Sequence, residues 1–344
     1  MKVKVKQILF TEPYKAELID KGELDFSQLN DTSIVVKTAV STISAGTEKA
    51  NYIGEKRVTA NSDRVAPFPR VPGYSSAGEV VCVGSSVKKF KVGDRVVISN
   101  FLGNHKNYCT VKENDLVKIP SGVSFEDASI SFIATFPLAG LRKVRLEIGE
   151  SCLVMGLGVL GQFAVKFARI MGAYPIIAVD PVAERRQSAL ENGADFAFDP
   201  FDIETIAKIK EITNGGVNTA IEVTGVGAGL DQTLDCMKKL GRIALLGCTR
   251  NSDFTIDYYK KIHAPGITLV GAHTNARPDY ESYPNYLTQN DEVRAVLDLI
   301  KGDRVSLRTI IKETHDPIEC TKVYERLASD KNFPIGVQFD WRKE

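Results

Sequence analysis

The residues best suited to chemistry in this chain are three glycines and a carboxylate. Gly156-Leu157-Gly158-Val159-Leu160-Gly161 is followed, nineteen residues after its last glycine, by Asp180. Unpaired N–H groups at the start of a helix can hold a pyrophosphate, and glycine lets the backbone approach it without an intervening Cβ. A carboxylate at the end of the next strand can accept both hydroxyls of an adenosine ribose. Val159 and Leu160 would pack their aliphatic side chains under the pyrophosphate. His273 follows the last apolar run of the same region, where ligands of an open α/β sheet bind, and can serve as a base or as a donor to substrate. The plainer alternative for it is a surface or core histidine.

The elements that must position these groups are legible around them. Ser151 to Met155 reads as a buried strand, and apolar residues at 160, 163, 164, 167, 168 and 171 give the period of a helix that ends at Gly172. A second apolar run, Tyr174 to Val179, delivers Asp180, so the βαβ context of the glycine motif is complete. Helices near 183–192 and 204–213 follow, then a strand at 219–223. A helix around 229–240 feeds a strand at 242–246, and a last strand lies at 267–270; six strands are expected in a parallel, doubly wound sheet. Before this region, short apolar runs at 33–39, 78–84, 94–98 and 108–111, broken by Gly, Pro, Asn and Asp, have the texture of a β-barrel. After it come a helix near 291–301, a helix with Asp316 as N-cap, Pro317 at N1 and Glu319 at N3, and a closing strand at 335–339. That tail is too small to stand alone and is expected to pack on the barrel.

Bulk composition excludes several function classes. The 344 residues are more than one hydrophobic core usually serves, which predicts two domains. At 43% hydrophobic and 25% charged, with a formal net charge of +1 and no basic run, the chain carries no nucleic-acid signature. No apolar stretch is long enough for a membrane span, and Met1 to Lys6 reads as an alternating strand, not a signal peptide, so a cytoplasmic location is expected. Six scattered cysteines form no CxxC pair, which predicts reduced, mostly buried thiols.

With these features together, the whole chain resembles the medium-chain dehydrogenase/reductase family, the relatives of alcohol and sorbitol dehydrogenases. Besides the glycine motif, the resemblance rests on Ser44-Ala-Gly-Thr-Glu48, on Val71-Pro-Gly-Tyr-Ser-Ser-Ala-Gly-Glu-Val-Val-Cys-Val-Gly84 and on Val92-Gly-Asp-Arg-Val96. It implies an α/β fold: a GroES-like β-barrel catalytic domain from 1–136 and 282–344, and a doubly wound Rossmann dinucleotide-binding domain at 137–281. It also implies a homodimer, or a tetramer of dimers, joined through the edge strand near 267–272, since an exposed apolar edge is a pairing site. Zinc-dependent members carry Cys-Gly-Thr-Asp and Gly-His-Glu where this chain has Ala45 and Tyr74-Ser75, and catalytic zinc needs about three N, S or carboxylate ligands. Residues 134–138 supply no carboxylate, and 94–108 hold no cysteine for a structural zinc. The chain thus resembles a zinc-free branch in which Pro-Gly-Tyr replaces Gly-His-Glu.

Without a metal, a side chain must remove the hydroxyl proton of an alcohol. Tyr74 is the leading candidate, with the alternative that its ring only fills the vacated cavity. Thr47 matches the family's relay threonine, or forms a turn. Glu48 matches a carboxylate behind the metal, and here can pair with Lys49, Arg57 or another cation. His105 and Lys106 precede Tyr108 in a shortened loop and can also reach the substrate. Thr224-Gly225 and Leu246-Gly247-Cys248 match positions that line the cofactor, and Arg185 matches a basic residue beside the adenine ribose or is a solvated helix charge. Asp180 favours NAD, because it would repel a 2′-phosphate. The expected function is NAD(H)-dependent, zinc-independent dehydrogenation of a secondary alcohol, a polyol, sugar or cyclitol. Two alternatives stand: a metal-free reductase of activated C=C bonds or quinones, and an NAD(H)-binding sensor without turnover.

Overall fold

The computed structural model describes residues 1–58, 66–101, 103–250, 252 and 254–344. The chain divides into two compact units, Met1–Ile133 with Val293–Glu344, and Ala134–Glu292.

The first unit opens with a long antiparallel hairpin of β1 (Lys2–Glu12) and β2 (Lys15–Asp25). Then come β3 (Ile34–Thr42), α1 (Ala45–Tyr52), β4 (Ser75–Val83), β5 (Arg95–Ser99), β6 (Tyr108–Val111), β7 (Leu116–Lys118) and α2 (Phe125–Lys143), within which the division of units falls. β3 is rich in β-branched residues and buried along nearly its whole length, as a central strand should be. It pairs with β4 and with β6.

The second unit alternates strand and helix: β8 (Cys152–Met155), α3 (Val159–Ile170), β9 (Ile176–Val179), α4 (Ala183–Glu191), β10 (Phe196–Phe198), α5 (Thr205–Ile212), β11 (Val217–Glu222), α6 (Gly227–Asp235), β12 (Met237–Leu245) and β13 (Thr268–Gly271). These strands make a six-stranded sheet in the order β10-β9-β8-β11-β12-β13, every neighbouring pair parallel. The order reverses between β8 and β11, the switch point at which such sheets bind ligands. The sixth strand, which the sequence left unlocated, is β10. The expected helix over 229–240 is shorter: α6 stops at Asp235, and β12 starts at Met237 and bulges before Thr219 pairs with Arg242. Leu240 there adopts φ +64° and its N–H donates to the Pro265 carbonyl at 2.8 Å, a conformation no helix accommodates.

The chain returns to the first unit through α7 (Gln289–Lys301), β14 (Ile311–His315), α8 (Cys320–Ser329) and β15 (Gly336–Asp340). β15 pairs antiparallel with β3, completing a seven-stranded sheet. α8 is preceded by a 3₁₀ turn with the Asp316–Glu319 capping box. It buries Val323, Tyr324 and Leu327 in a cluster with Phe10, Ile43, Tyr52, Phe339 and Trp341. The α/β architecture of GroES-like barrel and Rossmann sheet is the one the sequence implied.

Candidate active site

The glycine motif forms the turn from β8 into α3. An added Cβ on Gly161 would lie 1.9 Å from the Gly156 carbonyl oxygen, so helix and turn approach as closely as they do only because Gly161 has no side chain. Gly158, the N-cap of α3, has open space where its Cβ would be and no side-chain cap on the helix. Val159 is buried and Leu160 half-buried behind this opening. The Asp180 carboxylate accepts the Leu157 N–H and the Val182 N–H, each at 2.8 Å, and the Arg185 guanidinium lies 3.9 Å away. Two oxygens offer about four acceptor positions, so capacity for ribose hydroxyls remains. The cradle fits a dinucleotide.

Across the switch point, the residues after β11 and β12 are tied to Glu222. Its backbone carbonyl accepts the Leu246 and Gly247 N–H groups, both at 2.9 Å. Its carboxylate accepts the Thr224 N–H at 2.8 Å, the Thr224 hydroxyl, and the Gly225 N–H at 3.3 Å. Burial pushes this carboxyl above the usual range, and the Thr224 and Gly225 donors pull the other way. Sequence reasoning treated Glu222 only as the end of a strand. The cysteines are free and mostly buried, as expected, with Cys248 exposed in the loop beyond β12.

His273 is half-buried after β13, and its Nδ1 accepts the Asn275 N–H at 3.2 Å. Burial lowers its pKa, and the positive charges of Lys143 and Arg277 lower it further. Lys143 donates to the carbonyls of Gly271 and Ala276, which fixes this loop.

In the first unit, Tyr74, Glu48 and Thr47 gather at the start of α1. Tyr74 is 7% exposed. Its ring lies 5.0 Å from that of Phe101 and 5.9 Å from that of Phe132, and its hydroxyl donates to Ser44 Oγ. Ala45 packs its methyl against the apolar cluster of Ile43 and Tyr324. Thr47 is half-buried on the first turn of α1. Ser75 donates to the Ser129 carbonyl at 2.5 Å.

Glu48 has neither Lys49 nor Arg57 as its partner; a helical side chain leans toward the N-terminus, away from both. One carboxylate oxygen accepts the Ser44 N–H at 2.9 Å. The other meets His105 Nε2 at 3.0 Å and accepts the Tyr324 hydroxyl at 2.5 Å. Burial and the neighbouring Glu48 charge hold the Tyr324 phenol well above its ordinary pKa, so it stays a donor. His105 is fully buried, so it does not open toward a substrate. Its Nδ1 lies 2.7 Å from Ser41 Oγ, which itself accepts the Trp341 Nε1–H at 2.8 Å. Indole can only donate, so the Ser41 hydroxyl accepts from Trp341 and links it to the imidazole, whose other nitrogen faces Glu48. Gly73, at φ +86° in the segment before β4, lets this ring approach the backbone; a Cβ there would lie 2.7 Å from it.

These donors do not suit zinc. Both nitrogens of His105 and both oxygens of Glu48 are engaged, and positions 45, 74 and 75 carry no strong ligand. Among the described residues, no group of three or more His, Cys, Asp and Glu side chains could hold a metal ion.

A GroES-like barrel carrying a buried hydroxyl cluster and a Rossmann sheet carrying a glycine cradle define an oxidoreductase with two functional units. Residues 31–127 match the alcohol dehydrogenase GroES-like domain family and residues 159–290 the zinc-binding dehydrogenase family. L-threonine 3-dehydrogenase of Pyrococcus horikoshii is 29% identical over 303 residues, covering 79% of this chain and 83% of that protein. The crystal structure of 2R,3R-butanediol dehydrogenase from Bacillus subtilis superposes with a TM-score of 0.81 at 23% identity, covering 98% and 99% of the two chains. An alcohol dehydrogenase of Escherichia coli CFT073, solved with NADH, gives 0.82 at 18% identity with the same coverage. The chain belongs to the alcohol dehydrogenase-like medium-chain dehydrogenase/reductase family.

Proposed function

We propose that this protein is an NAD(H)-dependent, zinc-independent oxidoreductase of a secondary alcohol and its ketone, with a polyol, sugar or cyclitol as substrate. The observation that carries the reading is the buried Tyr74 hydroxyl, hydrogen-bonded to Ser44, with positions 45 and 74 being those at which zinc-dependent family members carry ligands. A bound nicotinamide supplies the hydride acceptor. The carbinol proton must leave as well, and Tyr74 is the group assigned to take it. Thr47 offers a second hydroxyl from the same helix turn. Asp180 selects NAD, since a 2′-phosphate beside its charge would be repelled. The substrate class is supported by the names of the relatives, L-threonine 3-dehydrogenase and butanediol dehydrogenase, which share a secondary carbinol.

The test is NADH formation from NAD with a panel of polyols, sugars and cyclitols, repeated with Tyr74→Phe. Loss of a positioned acid/base should slow turnover about a hundredfold to ten-thousandfold with cofactor affinity unchanged. Near-normal turnover of Tyr74→Phe would overturn the assignment of Tyr74, and one zinc per purified chain would overturn the metal-free mechanism.

A further inference from the structure

Ser44 occupies the N-cap of α1, where a serine hydroxyl ordinarily accepts an N–H from the first helical turn. It makes no such bond. Glu48 covers the helix start instead, reaching back to the Ser44 N–H at 2.9 Å, while the Glu48 N–H donates to the Ser44 carbonyl at 2.9 Å. The serine hydroxyl is thereby released from capping, and its partner is the Tyr74 phenol. A helix start ordinarily gains stability from such a bond. Local rules are broken in this way where a side chain is needed for something else.

The surroundings hold Ser44 in place. Its anchor Glu48 is fixed by His105 from the loop before β6 and by Tyr324 from α8, with Ser41 of β3 and Trp341 next to β15 behind His105. Ser44 is 6% exposed and Tyr74 7%, so water does not compete freely for either hydroxyl. Among the described residues, Glu48 is the charged group bonded to Ser44, with His105 and Tyr324 behind it, and the uncharged rings of Phe101 and Phe132 pack on Tyr74.

We infer that Ser44 is a positioning residue for the Tyr74 phenol: its hydroxyl accepts from the neutral phenol and turns to donate to the phenolate. The inference rests on the reading of Tyr74 as the proton-transfer group. The neutral phenol's bond to Ser44 favours the neutral form, but a hydrogen bond to a charged group is the stronger of the two, so the bond to the phenolate outweighs it and Ser44 lowers the phenol's pKa relative to a side chain without a hydroxyl.

The experiment compares Ser44→Ala and Ser44→Thr with wild-type protein by turnover, NADH affinity, melting temperature and the Tyr74 titration, followed by NMR of ring-labelled tyrosine assigned with Tyr74→Phe. A hydrogen bond to a charged group predicts that Ser44→Ala slows turnover roughly tenfold to a hundredfold and raises the Tyr74 titration midpoint by about one to two pH units. NADH affinity should stay the same, the melting temperature should fall only modestly because a buried phenol loses a partner, and Ser44→Thr, which keeps the hydroxyl, should restore turnover and midpoint. An unmoved Tyr74 midpoint in Ser44→Ala overturns the inference, as does a lowered melting temperature without that shift, the signature of an ordinary cap. The midpoint needs no substrate. If Tyr74→Phe keeps its turnover while Ser44→Ala still moves the midpoint, the catalytic reading of Tyr74 has failed and the pairing has not.

Discussion

In the Rossmann unit the candidate cofactor loops are shaped largely by backbone groups: Gly161 against the Gly156 carbonyl, Leu246 and Gly247 on the Glu222 carbonyl, and the Leu157 N–H held by the Asp180 carboxylate. In the barrel unit the corresponding work is done by side chains, with Glu48, His105, Tyr324, Ser41 and Trp341 converging from separate parts of the sequence. A cradle built from backbone tolerates almost no change at its glycines. A pocket built from side chains can exchange its chemistry while the fold stays.

Three outcomes bear on this contrast. The largest is expected for Gly161→Ala, whose new methyl would overlap the Gly156 carbonyl. Overpacking of this kind costs about 1–3 kcal/mol, and calorimetry should show a fall of several degrees in Tm together with weakened NADH binding. Unchanged values would mean that the helix does not need this close approach. Next is Asp180→Asn, which removes the charge and keeps the shape. The wild-type preference for NADH over NADPH, measured by titration calorimetry, should narrow about tenfold or more, since facing like charges cost several kcal/mol. Equal affinities in the wild type would contradict the assignment. The smallest concerns His273, whose pKa lies below 6.5 in the folded chain. The unfolded chain then binds the proton first, so stability should decline as pH falls below about 6.5 toward the folded value, and His273→Asn should flatten that slope in melts between pH 5 and 8. A slope unaffected by the substitution would place the titration elsewhere.

The same contrast explains what was legible in the sequence. The glycine cradle announces itself because its function depends on residues close in sequence, each type fixed by backbone geometry. The barrel network does not, because Glu48 meets His105 across 57 positions and Tyr324 across 276. Tyr74 and Glu48 stood out by family position, whereas their connecting residue, Ser44, looks in sequence like any serine ahead of a helix. Glu222 was overlooked for a similar reason: its carboxylate folds back on Thr224 and Gly225, a local arrangement that an apolar strand pattern does not reveal. The helix extended through Leu240 failed on one left-handed residue that no periodicity encodes.

The bond from Trp341 to Ser41 spans 300 positions of sequence. The Rossmann unit is contiguous, whereas the barrel is made of segments from either side of it. During synthesis, domains generally fold as units and the earlier-completed one goes first. The dinucleotide loops are therefore finished while residues 320–341 are still to be made, and the barrel site, which needs α8 and Trp341 to fix Glu48 and His105, is assembled last. A growing chain passes through a stage with its nucleotide cradle complete and its hydroxyl cluster still unbuilt.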